Sequence, residues 1–316
     1  MARLLDQVVG HQEIISKMIQ SFEAGRPGQT FLFVGPAGIG KKFVAKGLAQ
    51  ALLCQRSPRG CGECPSCLRL VNDRHEGLLM IQPTTPQIKI EQAKEIIEYL
   101  TLQSLSGNRV IIIDQAQTLN PQAGNSLLKT LEEPPEGTFF FMIAPSVSGL
   151  MQTLRSRSRV VQFHPLTAEQ LAQKVKAPAW ALKSAGGSFE KLAQLQAGPE
   201  QELRLKALEV LQIFLKDKDF LVNEVWRQEF KDRVQGQRIV AYWMSFLRDA
   251  LFLQSDGQEQ VMNLDQLELL KKLATFPRHF LLALSDKALQ VEKAILANRD
   301  SQLLMEDFWI TTHALR

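Results

Sequence analysis

The segment Gly35-Pro36-Ala37-Gly38-Ile39-Gly40-Lys41-Lys42 constrains this chain more than any other. It follows Thr30 to Val34, a short run of β-branched and aromatic residues that reads as a buried strand. It precedes a stretch in which Val44, Ala45, Leu48, Ala49 and Leu52 recur at helical spacing. A strand, a glycine-rich turn and a helix in that order let the backbone curl until its N–H groups face one point, next to the positive end of the helix. That shape suits phosphate, and the context is the one a phosphate loop requires. An ordinary Gly-Pro turn is the bland alternative, but it has no need of the terminal lysine. Gly35, Pro36, Gly38 and Gly40 shape the loop, Lys41 would reach the β- and γ-phosphates, and ATP or ADP would be the ligand. One residue departs from the pattern. The position after the lysine normally carries Ser or Thr, whose hydroxyl ligates Mg²⁺. Here it is Lys42, which cannot ligate a cation.

Up to Pro165 the pattern continues as alternating helix and strand. Helices are expected at 14–22, 42–53, 91–105 and 121–131, with strands at 30–34, 109–114 and 138–143. Strands separated by helices imply a parallel sheet covered on both faces. After His164-Pro165 the strand signals stop. Short helices are expected at 168–176 and 188–196, and longer ones at 203–215, 220–235, 237–253, 264–274, 278–296 and 301–314. Gly198-Pro199 marks a boundary between segments. The expected architecture is an α/β domain over 1–165, a small helical lid over 166–198 and an all-helical domain over 199–316.

The strand Val110-Ile111-Ile112-Ile113 ends in Asp114, placed to orient a Mg²⁺ shell. In a hydrolase of this kind the next residue is usually Glu, which polarises the attacking water. Here it is Gln115, which hydrogen-bonds but cannot take a proton. A strand-end Asp capping a turn is the alternative reading of Asp114. Lys42 and Gln115 thus fall on two residues that hydrolysis needs, while the binding parts are kept.

All four cysteines lie in one stretch, Cys54, Cys61, Cys64 and Cys67, spaced C-x6-C-x2-C-x2-C. Four thiolates this close suit a tetrahedral zinc ion with all ligands from protein, hence structural. An iron–sulfur cluster and unligated cysteines are the alternatives. Disulfides are not expected, because the first ten residues hold no apolar signal core and a cytoplasmic location follows. No apolar run approaches the length of a membrane span. The formal charge is +4, with the basic excess before Pro165, compatible with a phosphate-bearing partner but weakly so. At 45% apolar and 22% charged residues, wholesale disorder is excluded.

These motifs occur in a telling order. After the loop, the cysteine module and the Asp114 strand come Leu127-Leu128-Lys129-Thr130-Leu131-Glu132-Glu133-Pro134-Pro135 and Leu154-Arg155-Ser156-Arg157-Ser158. In this the chain resembles AAA+ clamp-loader subunits, most narrowly the delta-prime family of bacterial DNA polymerase III. Val8-Val9-Gly10-His11 resembles the family's segment near the adenine, and residues 1–198 carry most of the resemblance. The resemblance implies a P-loop AAA+ domain, a lid and a helical collar domain. It also implies an arginine finger, Arg157, offered to the ATP of the neighbouring subunit, with Ser158 where the family has Cys. The position near Ala144-Pro145-Ser146 lacks the family's polar pair, and Gly187-Ser188-Phe189-Glu190 puts an acid where an arginine is expected. The implied role is in DNA replication, within a hetero-oligomer that also holds gamma/tau and delta subunits. That complex places the sliding clamp on primed-template DNA as part of a DNA-directed DNA polymerase holoenzyme. The chain's own ATP turnover would be small or absent. The alternatives are an ATP-hydrolysing gamma/tau-type motor subunit and a non-enzymatic zinc-containing DNA-binding module.

Overall fold

The computed structural model describes residues 3–24, 29–102, 107–216, 220–222, 225–255 and 257–314. The chain divides into two compact units. One comprises Met1–Val175 with Gly186–Glu190, and the other Lys176–Ala185 with Lys191–Arg316. The segment 166–198, read as a lid from the sequence, is shared between them.

The first unit is built on a five-stranded parallel sheet. Its strands are β1 (Gln29–Val34), β2 (Leu78–Ile81), β3 (Arg109–Ile113), β4 (Thr138–Ala144) and β5 (Arg159–Gln162), in the order β2-β3-β4-β1-β5. The helices are α1 (Gln12–Glu23), α2 (Lys41–Leu53), α3 (Pro65–Val71), α4 (Ile90–Thr101), α5 (Pro121–Glu132), α6 (Gln152–Ser156) and α7 (Ala168–Ala172). Successive strand residues point to opposite faces, so each central strand feeds two cores. Phe31, Phe33, Val110, Ile112, Phe139 and Phe141 pack with α1 and α2. Leu32, Val34, Ile111, Ile113, Phe140 and Met142 pack with α4, α5 and α6 on the other face. This is why β1 and β4 are buried at every position and, after Gln29-Thr30 and Thr138 respectively, read in the sequence as apolar runs.

The expected strands at 30–34, 109–114 and 138–143 are the three in the middle of the sheet. No strand is expected from the sequence reading at the two edges, β2 and β5, although β2, Leu78-Leu79-Met80-Ile81, is itself a short apolar run. Each is four residues long, and three of the four β5 residues are exposed. The helix expected over 91–105 is α4 up to Thr101, and residues 103–106 lie outside the described residues.

The second unit is helical. Its elements are α8 (Ala179–Ser184), the larger part of α9 (Phe189–Gln196), α10 (Gly198–Lys216), α11 (Val225–Glu229), α12 (Arg233–Leu253), α13 (Leu267–Leu273), α14 (Arg278–Leu296) and α15 (Ser301–His313). The aromatic residues Phe214, Phe220, Trp226, Phe230, Trp243 and Phe308 form the middle of its core. The single helix expected over 220–235 is instead α11 and the start of α12. Asp232 caps α12 through the Val234 N–H at 2.9 Å, breaking the run there. Pro199 sits in the first turn of α10, a position that costs the helix no hydrogen bond.

Candidate functional site

The loop between β1 and α2 takes the backbone shape its glycines allow. Gly35, Gly38 and Gly40 have φ of +153°, +72° and +97°. At Gly38 a side chain is also excluded by space, because a Cβ there would lie 2.7 Å from that of Glu190. The Gly38 carbonyl accepts from the Phe189 N–H at 2.9 Å, so residues 186–190 are fastened to the loop. Lys41 is buried, and its Nζ donates to the carbonyls of Gly35 and Pro36, each at 2.5 Å. Burial pulls its pKa below the usual lysine value, with Asp114 acting the other way.

An open cleft of about 820 Å³ lies over the loop, a volume that accommodates a nucleotide. Lys42, Lys46, Asp114, Gln115, Phe189 and Glu190 are among the residues that line it. Ala144 and Pro145 line it without offering a polar side chain. The decisive contact joins the two residues at the metal position. Lys42 Nζ stands 3.0 Å from Asp114 Oδ2 and donates to Gln82 Oε1 at 3.1 Å. The other oxygen of Asp114 accepts from the Gln115 N–H at 3.0 Å, with Gln115 in the left-handed region at φ +53°. Asp114 therefore carries a built-in cation. A second cation 4 Å from the ammonium would be repelled by about 4 kcal/mol per unit of its charge at an effective dielectric of about 20. Water screens part of this, since the Lys42 side chain is 39% exposed. The residues present do not fit Mg²⁺.

The amino-terminal segment meets the same loop. His11 adopts φ +60°, and its Nε2 donates to the Ile39 carbonyl at 3.1 Å. Its ring packs edge-on to Phe163 at 4.9 Å. Burial lowers its pKa, which keeps the ring neutral near pH 7. A smaller hollow of about 400 Å³ is lined by His11, Gln12, His164 and Gln170 among others.

Arg157 lies at the other end of the sheet. It follows α6 and precedes β5, whose first residue, Arg159, pairs with Phe31 of β1. The phosphate loop starts after Val34, so at about 3.3 Å per residue the strand puts some 13 Å between the two levels. Arg157 therefore cannot serve its own loop. Its Nε donates to Glu132 Oε2 at 2.9 Å and its Nη1 to the Thr153 carbonyl at 3.2 Å. Glu132 belongs to the Leu-Glu-Glu-Pro-Pro stretch noted in the sequence. The side chain remains 29% exposed.

The four cysteines converge. Their sulfur atoms all lie within 4.8 Å of one another, with Cys54 and Cys64 at 4.0 Å and Cys61 and Cys67 at 3.9 Å. A tetrahedron with metal–sulfur bonds of about 2.3 Å has edges of about 3.8 Å, so the set fits such an ion. Backbone N–H groups of Cys61, Cys64 and Cys67 donate to Cys54, Cys61 and Cys64 Sγ respectively at 3.3, 3.3 and 3.4 Å. Gly60 and Gly62, both at φ +76°, make the turns that bring this about. The N–H groups of Glu63 and Cys64 pull the Cys61 thiol down to about 6, while burial pushes Cys67 up to about 12. Four thiolates thus become mutually compatible once a dication sits among them.

The structure adds His75, whose role no spacing in the sequence announces. It is buried, its Nδ1 accepts from the Gly77 N–H at 2.9 Å, and its Nε2 therefore donates to Ser66 Oγ at 2.7 Å. Ser66 in turn donates to the Leu53 carbonyl at 2.6 Å. The direction of these bonds makes the pair a brace for the cysteine module and not an activated nucleophile. Burial lowers the His75 pKa.

The family model described as "DNA polymerase III, delta subunit" matches residues 10–167, half of the chain. The chain belongs to this family. Its α/β unit is accordingly a P-loop AAA+ domain. The DNA polymerase III subunit delta-prime of Pseudomonas aeruginosa is 33% identical over 201 residues, 59% of this chain and 61% of that protein. The delta-prime subunit of Bacillus subtilis is 26% identical over 273 residues, 83% of each chain. The tau subunit of Escherichia coli is 30% identical over 174 residues, 54% of this chain and 27% of that protein. The match to the Pseudomonas relative thus spans less than two-thirds of that protein's length. Among the described residues no helix is long and apolar enough to cross a membrane.

Proposed function

We propose that this chain is a cytoplasmic delta-prime-type subunit of the DNA polymerase III clamp loader, with an AAA+ domain over 1–165, a lid over 166–198 and a collar over 199–316. Its partners would be gamma/tau and delta subunits, and through them the sliding clamp and primed-template DNA. Its part in ATP hydrolysis is to supply Arg157 to the nucleotide of a neighbour. The observation that carries this reading is the division of the site. The chain's own loop has Lys42 paired with Asp114, and its arginine stands at the opposite end of the sheet, out of reach of that loop. Glu132 holds Nε and the Thr153 carbonyl holds Nη1, leaving Nη2 to meet phosphate oxygens as charge develops on the γ-phosphoryl. The cysteine module holds a structural zinc.

The 30% identity to a tau subunit favours a second reading, a motor subunit that hydrolyses ATP itself. Gln115 and the Lys42–Asp114 pair count against it. The test is ATP turnover by the purified chain alone. The proposed role predicts no measurable turnover. A rate of about 1 s⁻¹, within the range of working enzymes, that Lys41→Ala abolishes would establish the motor instead.

A further inference from the structure

The mismatch between this loop and Mg²⁺ has a chemical consequence. A nucleoside polyphosphate in water carries its charge neutralised by a divalent ion, and the usual loop binds nucleotide and metal together, the metal on the Ser or Thr hydroxyl. Here the residue in that place brings the positive charge itself. Lys42 Nζ lies 3.0 Å from Asp114 and lines the cleft with Lys41 and Lys46. Lysine has three donor protons. Lys41 uses two on the Gly35 and Pro36 carbonyls, and Lys42 uses two on Asp114 and Gln82, so each keeps one for a phosphate oxygen. Lys46 is partly neutralised by Asp73 at 2.6 Å. Glu190, packed against Gly38 of the loop itself, and Asp114 are the acidic groups that line the cleft, so the lysines must outweigh Glu190 as well as anchor to Asp114.

We propose that the cleft is a metal-independent site for a nucleoside diphosphate or triphosphate, in which the Lys42 ammonium, anchored by Asp114, takes the place of Mg²⁺. A phosphate oxygen then meets two fixed lysines at the mouth of the loop. The ligand is held without the cation that its hydrolysis would require. The site would act as a static nucleotide-filled wall of the domain, bracing the loop and the 186–190 segment fastened to it. This extends the reading of the loop as non-hydrolysing and is independent of what Arg157 does for a neighbour.

The test is calorimetric titration of the full chain with ADP, once in excess EDTA and once in excess MgCl₂. The expected result is binding in EDTA, equal within about threefold to that in MgCl₂. Lys41→Ala should abolish binding in both, which locates the ligand on the loop. Lys42→Thr should weaken binding in EDTA by about tenfold or more, equivalent to about 1.4 kcal/mol, and MgCl₂ should restore it. Circular dichroism confirms that each variant is folded, and the wild-type comparison needs no variant. Binding that appears only with Mg²⁺, or no ADP binding under either condition, overturns the proposal. Either result leaves the Arg157 reading standing, because that one is read from the ATPase of partner subunits.

Discussion

Removing the metal from the cysteine module should unfold the module and leave the sheet intact. The span Cys54 to Cys67 is fourteen residues long and buries only Gly60, Gly62, Cys64, Ser66 and Cys67. None of these is a large apolar side chain, so packing contributes little to its order. Fixing fourteen residues costs about 14 kcal/mol at about 1 kcal/mol each, the low end of backbone ordering. A structural zinc site contributes about 10–16 kcal/mol at pH 7, which closes that gap. Without the ion the module has no comparable source of stability. The strands beneath it do, since Val110 to Ile113 and Phe140 to Met142 are fully buried whether or not the metal is bound. The assay is hydrogen exchange, read by mass spectrometry on the wild type, on chelator-treated protein and on Cys64→Ser, with zinc measured on each sample. About one zinc per chain is expected in the wild type. Its loss should bring amides of residues 54–67 to the exchange rate of an unfolded chain, while β1, β3 and β4 stay protected. A zinc-free sample whose module remains protected would refute the reasoning.

Two further outcomes follow from side chains buried away from the cleft. His75 has its pKa lowered by burial, so the folded protein binds a proton there less readily than the unfolded chain. Stability from this group is fully present above about pH 6.5 and falls as pH drops below that value, when the unfolded chain takes up the proton first. Urea midpoints measured from pH 7.5 downward should therefore fall less steeply in His75→Gln, and an unchanged slope would show that another group controls the acid limb. Arg204 is buried with its guanidinium 4.0 Å from the Trp180 ring centre and bonded to both oxygens of Asp265 at 2.8 Å and to Asn263 at 2.9 Å. Arg204→Met should destabilise the helical unit by about 1–3 kcal/mol, because buried Asn263 is left without its donor while Asp265, 35% exposed, is hydrated. A loss below about 1 kcal/mol in chemical denaturation would contradict that.

The parts of this protein legible in its sequence are those fixed by local pattern. β1, β3 and β4 are buried on both faces, so they appear as short apolar runs between helices. The phosphate loop and the cysteine spacing are legible because glycines and thiolates have few other reasons to recur at such intervals. What escaped reading is set by neighbours distant in sequence. β5 is exposed at three of its four positions and is a strand because β1 offers it a ladder, while the four-residue apolar run of β2 is too short to be told from a buried helix segment until it pairs with β3. Lys42 alone announces the loss of a metal ligand, and only the fold brings it to Asp114, a residue 72 positions away, to form an ion pair. Glu132 beside Arg157 and His75 beneath the cysteines are likewise contacts between separate segments.

The central claim is that Arg157 works on a neighbour's nucleotide. The direct measurement is DNA-stimulated ATPase of the reconstituted loader carrying Arg157→Ala, with Arg155→Ala and Arg159→Ala beside it. An arginine finger is typically worth about 10³–10⁵ in rate at the site it serves. In a loader with several ATP sites, only the one facing this chain would be silenced. Arg157→Ala should therefore lower the total ATPase in part and clamp loading more severely, with assembly of the complex intact. Arg155 and Arg159 are both exposed, Arg159 with one donor on Gln29 Oε1 at 3.1 Å, and their removal should change little in the ATPase. Equal, salt-sensitive losses in all three variants would show a generic basic surface and contradict the assignment of Arg157.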